Sequence, residues 1–240
     1  MTTTHLFRAV LQGAVMLFVP AALAVTNDVL DAPSVQMKFD STSPEIRREA
    51  VESILAGKAE EKYALVNADV IELLSRAVAD PDAAVRSSAM QAVYGIAYYS
   101  VLLNEGGTNT PEYKWAQQVS GGTALIDFAK YVHMRSALLS ALNDQDSEIR
   151  RLTVAILTTA FPRGPDIEHA LVARFEHESA DGVRHAIIRA LGSCGYSSAH
   201  TLSVLSNARV AVTNDTERTM LDDVIKELSS KGRDLLLSPQ

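Results

Sequence analysis

The sequence predicts an all-α fold in which about five helix pairs stack into a superhelical solenoid. One pattern, centred on an arginine, recurs five times along the 240 residues. Between the copies lie segments whose apolar residues recur at spacings of three and four, as on one face of a helix. Neither kind of helix buries its apolar stripe alone, so neighbouring pairs are expected to stack on one another.

The first 24 residues predict a secretory signal peptide. Arg8 precedes an uncharged run, residues 9–24, which ends in Ala22-Leu23-Ala24. A basic start, a short apolar run and an A-x-A end are typical of a cleaved signal. We therefore expect cleavage after Ala24 and export, with a bacterial periplasm as the location. The alternative is a retained N-terminal anchor, although the run is short for a membrane span of about 20 residues.

Residues 25–43 show no helical period and are expected to form a linker, or a strap across the first repeat. The repeats themselves are expected over residues 44–232. No other segment is long and apolar enough to enter a membrane after signal cleavage. A helix that ends near Gly232 and a C-terminal tail, residues 233–240, complete the predicted organisation.

The arginine pattern is clearest at residues 80–93, DPDAAVRSSAMQAV. Apolar or small residues follow the arginine three, four and seven positions later, on one helix face. Ser43 and Asp80, each followed by proline, are the predicted helix caps. An apolar residue precedes each arginine except the last, where Glu217 stands. The aligned arginines are Arg47, Arg86, Arg150, Arg184 and Arg218.

Partner helices are expected between the arginine-bearing helices. Their apolar residues are spaced by three and four, and short turns join each to the next arginine-bearing helix. The segments are 68–80, 123–142, 166–179 and 199–210.

The pattern D-x-x-x-x-V-R-x-x-A from Asp80 to Ala89 resembles a HEAT repeat, in particular the short HEAT-like repeats of bacterial proteins. The resemblance covers most of residues 44–230. In such families the arginine and the acidic residue at the turn form a ladder between neighbouring repeats. The resemblance therefore implies that the five aligned arginines are structural and do not bind a ligand.

One interval between arginines is longer than the others. Arg86 and Arg150 are 64 residues apart, whereas the last two intervals are 34 residues each. Residues 104–123, rich in glycine and polar residues, supply much of the excess and are expected to form a loop. Insertions in solenoids often lie on the binding face. Tyr113 and Trp115 are therefore candidate binding residues, with simple anchoring of the loop as the alternative for Trp115.

Three tyrosines lie just before this insertion. Tyr94 and Tyr98 are four residues apart and share a helix face, while Tyr99 points elsewhere. Such aromatic residues suit peptide recognition. Tyrosines at this spacing also occur in cores with a bonded hydroxyl, and that alternative stays open.

No catalytic, metal or cofactor site is expected. The chain has no phosphate-binding, dinucleotide-binding or nucleophile-elbow motif. Its net charge of −7 becomes −8 when the signal peptide removes Arg8, which disfavours nucleic acid as a partner. The single cysteine, Cys194, excludes an intramolecular disulfide and is expected to be a small buried residue.

These features favour a non-catalytic exported scaffold or adaptor that presents a groove to a protein or peptide partner. An acidic rim would favour a basic partner. Two alternatives stay open. One is a cell-envelope enzyme, or a subunit of one, that uses residues 104–123 as a lid. The other is a self-assembling structural protein.

Overall fold

The computed structural model describes residues 32–56, 68–104, 128–195 and 198–237. These residues form ten α-helices and one short 3₁₀ helix, Phe128–Lys130, and contain no β-strand. The predicted all-α class is confirmed. The helices are α1 Ala32–Phe39, α2 Pro44–Ala56, α3 Ala68–Val78, α4 Ala83–Asn104, α5 Val132–Ala141, α6 Ser147–Ala160, α7 Pro165–His177, α8 Asp181–Cys194, α9 Ala199–Ala211 and α10 Asp215–Leu237.

The helices come in pairs, each consisting of an odd-numbered helix and the arginine-bearing helix that follows it. The two members of every pair are in contact. The arginine-bearing helices also contact one another in chain order, from α2 through α4, α6 and α8 to α10. Among the odd-numbered helices, α1 contacts α3, α3 contacts α5 and α7 contacts α9. An ion pair of 2.7 Å between Arg135 and Asp166 joins α5 to α7.

The core lies between these helices, at the positions that follow each arginine by three, four and seven residues. Full burial of a valine, leucine, isoleucine or methionine side chain contributes about 1.5–3 kcal/mol to the stability of the fold. In the first four copies all twelve such residues are buried: Ala50, Val51, Ile54, Ala89, Met90, Val93, Thr153, Val154, Leu157, Ile187, Ile188 and Leu191. In α10 Leu221 is buried, but Asp222 is exposed and pairs with Arg209 of α9 at 2.7 Å.

The cap of α4 differs from the prediction. Asp82, not Asp80, accepts hydrogen bonds from the backbone N–H groups of Ala84 and Val85, at 2.9 and 3.1 Å. Asp80 lies further back in the turn, where its carboxylate accepts from Arg47 and from the backbone N–H of Asp82 at 2.8 Å. The turn therefore uses two aspartates, one to begin the helix and one to bind an arginine.

The segment predicted as a linker or strap contains a helix. Over Ala32–Phe39 the chain forms α1, the partner of α2, and its residues Val35 and Phe39 are buried. Arg76 of α3 lies over the Phe39 ring, 5.1 Å from its centroid, and binds Asp40 at 2.8 Å. Two buried residues in a helix of 8 residues are too few to show a helical period in the sequence. The helix was therefore not predicted.

The C-terminal helix also runs further than predicted. Helix α10 continues past Gly232 to Leu237, so most of the predicted tail is helical. A glycine inside a helix costs only about 1 kcal/mol relative to alanine, which is too little to end it. The predicted signal peptide, residues 1–24, lies outside the described residues. So do residues 25–31, residues 57–67, residues 105–127 with most of the predicted insertion, residues 196–197 and residues 238–240.

Candidate functional site

The first aligned arginine ties two helix pairs together. Arg47 donates from Nε and Nη2 to the two carboxylate oxygens of Asp80, at 2.7 and 2.8 Å. Its Nη1 donates to the carbonyl oxygens of Ser41 and Thr42, in the turn before its own helix. One planar guanidinium thus binds its own turn and the next one, with the two-point geometry that favours arginine over lysine.

The second and third arginines repeat this geometry. Arg86 binds Asp144 at 2.6 and 3.3 Å, and Arg150 binds Glu178 at 2.7 and 2.8 Å. Arg86 and Asp144 are 58 residues apart in sequence, so the long interval does not interrupt the series. The Glu178 side chain is fully buried and accepts a further bond from Arg174 at 2.9 Å.

The fourth arginine uses a different acid. In the first three contacts the acid stands six residues before the arginine of its own copy, but Val212 holds that position in the last copy. Glu217, directly before Arg218, accepts both bonds from Arg184, at 3.0 and 2.7 Å on Oε1. The residue that breaks the apolar rule in the sequence therefore supplies the missing carboxylate.

Arg218 ends the series within its own helix pair. It donates to the carbonyl oxygen of Val212 at 2.8 Å and to Asp215 at 2.9 Å. The sequence did not identify Asp80, Asp144 and Glu178 as the acids that bind Arg47, Arg86 and Arg150. Their constant distance of six residues before an arginine is the signal that could have identified them.

The first three acids of this series, Asp80, Asp144 and Glu178, are held in the ionised form. Burial raises the pKa of Asp80 and Asp144, but hydrogen bonds from Arg47 and Arg86 and from backbone N–H groups outweigh it and lower both pKa values. Burial also raises the pKa of Glu178, yet its bonds lower that pKa to about 2. Carboxylates so fully bound have no free site for proton transfer, so the series is suited to holding helices together.

The predicted aromatic residues are only partly placed. Tyr94 is half-buried against the core of α4 and interacts electrostatically with Arg151 of α6. Tyr98 and Tyr99 lie within α4, but their side chains are outside the described residues, as are Tyr113 and Trp115 altogether. The structure thus brings Tyr94 near Arg151, and the aromatic binding patch stays a prediction.

The solvent side of the arginine-bearing helices forms a surface, which we call the arginine-helix face. It comprises the positions two, five and nine residues after each arginine, opposite the core positions on the helix. On α4, α6 and α8 these positions are mostly small, although Leu152, two residues after Arg150, is buried. The partly or fully exposed ones include Ser88, Gln91, Ala155, Thr159, Ala186 and Arg189. Ser88 donates to Glu52 at 3.1 Å, which extends the face to α2.

No metal-binding cluster occurs in the part of the chain that the structure describes: no three His, Cys, Asp or Glu side chains there are placed to hold an ion. Cys194 is buried at the end of α8, with Sγ 4.0 Å from the carbonyl oxygen of Thr158. Among the described helices, none is both long and apolar enough to cross a membrane.

Comparison with known proteins gives few relatives. No family model matches the chain, and no curated protein matches it. Two crystal structures of engineered proteins from the Northeast Structural Genomics Consortium are similar to it. One is 18% identical with a TM-score of 0.44 and covers 84% of this chain and 97% of its own. The other is 13% identical with a TM-score of 0.43 and covers 84% of this chain and 99% of its own.

Proposed function

We propose that this chain is an exported, non-catalytic scaffold of the periplasm, built as a HEAT-like solenoid of five helix pairs. Its task is to bind a protein or peptide partner on the arginine-helix face. The observation that carries the proposal is the series of four two-point contacts from Arg47, Arg86, Arg150 and Arg184 to acids of the following pair.

Such contacts support a binding role because they fix a surface before the partner arrives. Each arginine-bearing helix is held to the next both by a packed core and by a buried or half-buried ion pair. A pre-formed surface loses little conformational entropy on binding, so more of the contact energy appears as affinity. We further propose residues 104–123, which begin at the end of α4 in the sequence, as the second element of the site.

The chemistry of the face suits a peptide or helix of a partner. Small residues such as Ala155 and Ala186 allow close approach of a second backbone. Gln91 and Arg189 are exposed and offer polar contacts on either side of them. The half-buried Tyr94 supplies an aromatic contact next to Arg151.

Affinity capture tests the proposal. Tagged mature protein, residues 25–240, would be crosslinked in its own cell envelope and purified beside a version lacking residues 104–123. Circular dichroism must first show that the shortened version is folded. We expect one dominant partner with the full version and its loss with the shortened one. Recovery of no specific partner by either version would contradict the scaffold proposal.

Export has its own test. The mass of the protein recovered from the periplasmic fraction should correspond to residues 25–240, as cleavage after Ala24 requires. A protein that keeps residues 1–24 and sediments with membranes would instead support the anchor alternative.

A further inference from the structure

The fourth arginine–acid contact is less complete than the three before it. In the contacts of Asp80, Asp144 and Glu178, donors reach both carboxylate oxygens, and turn N–H groups add further bonds. In the fourth, both bonds from Arg184 go to Oε1 of Glu217. The side chain of Glu217 is only 4% exposed, so the carboxylate is largely removed from water.

The second oxygen of Glu217 faces a histidine. His185 Nε2 lies 4.0 Å from Glu217 Oε2, beyond hydrogen-bond distance. That nitrogen is buried and has no hydrogen-bond partner. A buried polar atom without a partner is uncommon and calls for a physical explanation.

We propose that His185 and Glu217 form an acid-activated tie between α8 and α10. One neutral tautomer of His185 also carries hydrogen on Nε2, but protonation adds a positive charge. The bond from Nε2–H to Glu217 Oε2, once the 4.0 Å gap closes, is then charge-assisted and stronger. The last contact of the series then acquires donors on both carboxylate oxygens, like the three before it. Histidine is the side chain whose charge changes between about pH 5 and 8, so mild acidification tightens the C-terminal helix pair.

Glu217 is the buried carboxylate that faces His185. On the same helix, Asp181 and Arg189 lie four residues before and after His185, and both are exposed. Arg184, on the same helix, opposes protonation, but its own charge is already balanced by Glu217 Oε1.

Two charged groups on the other helices packed against α8 already have partners. Arg151 of α6, which directly follows its aligned arginine as His185 does, binds Glu148. Glu178, beside α7, binds Arg150 and Arg174.

The direction of the pH effect follows from linkage. Protonated His185 has a carboxylate partner in the folded protein that the unfolded chain does not offer. The charge-assisted bond therefore stabilises the folded state at pH 5.5 and not at pH 8.0. The gain is lost again as the pH rises toward 8.

Hydrogen exchange of the mature protein, residues 25–240, at pH 8.0 and 5.5 tests this tie. After correction for intrinsic rates, amides of residues 215–225 should exchange on the order of fivefold more slowly at pH 5.5. His185→Gln should abolish that difference, and His200→Gln, which changes an exposed histidine of α9, should preserve it. Equal protection at the two pH values in the unaltered protein, or a difference that survives in His185→Gln, would overturn the proposal.

An NMR titration of the unaltered protein tests the tie without a variant, so its result does not depend on whether His185→Gln folds. The imidazole signals of His185 should change together with the amide signals of residues 215–219 as the pH falls. A titration of His185 that leaves those amides unchanged would also overturn the proposal.

Discussion

Glu178 is the most completely bound acid in the described part of the molecule. It accepts bonds from Arg150 and Arg174 and from the backbone N–H groups of Ser179 and Ala180, with no exposure of its side chain. Loss of its charge would leave the Arg150 guanidinium, 9% exposed, without its counter-charge. Uncompensated buried charge is among the largest single-residue costs in proteins.

We therefore expect Glu178→Gln to lower the free energy of unfolding by about 3 kcal/mol, as measured by urea denaturation. Glu148→Gln is the matched control, because Glu148 also binds an arginine, Arg151, but its side chain is 53% exposed. The control should cost less than about 1 kcal/mol. Similar losses in the two variants would show that burial of the pair is not what matters.

The same residue predicts how stability responds to acid. The folded pKa of Glu178, about 2, lies below the ordinary value of 4.5. Its contribution is therefore complete above about pH 5 and is lost as the pH falls toward 2, by at most about 3 kcal/mol. Urea midpoints measured from pH 5 to pH 3 should fall in the unaltered protein. They should fall less steeply in Glu178→Gln, and parallel curves would contradict this account.

Residue-level prediction from the sequence succeeded where a pattern recurred and failed where a single copy departed from it. The five arginines and the twelve core positions follow from spacing alone. Glu217 departed from the apolar pattern, and the sequence does not show that it replaces the acid missing at Val212. Its role depends on which turn faces Arg184, and that is a property of packing.

At the scale of the helices, the contact of α8 with α10 depends on a glycine. A Cβ atom on Gly192 would lie 2.9 Å from Val224 Cγ2, closer than side chains tolerate. Gly95, inside α4, has no atom within 4 Å of the same position. Substitution of Gly192 therefore tests the close approach of α8 and α10, whereas substitution of Gly95 tests helix propensity alone.

Gly192→Ala should destabilise the protein by about 1–3 kcal/mol, because the added methyl overpacks the junction. Gly95→Ala should instead stabilise it by about 0.5–1 kcal/mol, since alanine is the better helix former. Thermal denaturation of both variants measures the difference in sign. A stabilising Gly192→Ala would mean that Val224 yields easily and that the junction is loosely packed.

The sequence predicted helices best where each repeat supplies its own period. Helices α3, α7 and α9 begin and end within a few residues of the predicted segments. Helix α1 was missed because its burial depends on α2 and α3, which the local sequence does not reveal. Asp80 was misassigned as a cap because two aspartates share one turn, and only the position of Arg47 decides between them.

At the scale of the whole molecule, the last helix pair differs from the others on its outer side. The position four residues after the arginine is buried and apolar in α2, α4, α6 and α8, but is the exposed Asp222 in α10. Asp222 and Arg209 form an exposed ion pair at 2.7 Å and give the last helix pair a polar surface.

This polar surface predicts a monomer in solution by sedimentation equilibrium. Asp222→Leu should cause association that depends on concentration. The variant places an exposed leucine at the position that is apolar in the other arginine-bearing helices. Asp223→Leu, one residue away and also exposed, should not. A stable oligomer of the unaltered protein would instead favour the self-assembling alternative.

The most direct test of the central claim is site-specific photo-crosslinking in the cell. A photoreactive residue would replace Gln91, on the arginine-helix face, or Ser136, exposed on α5 in the other row of helices. The account predicts a discrete crosslinked product with a second protein from position 91 and none from position 136. A product from position 136 alone, or from neither position, would contradict the assignment of the arginine-helix face as the partner surface.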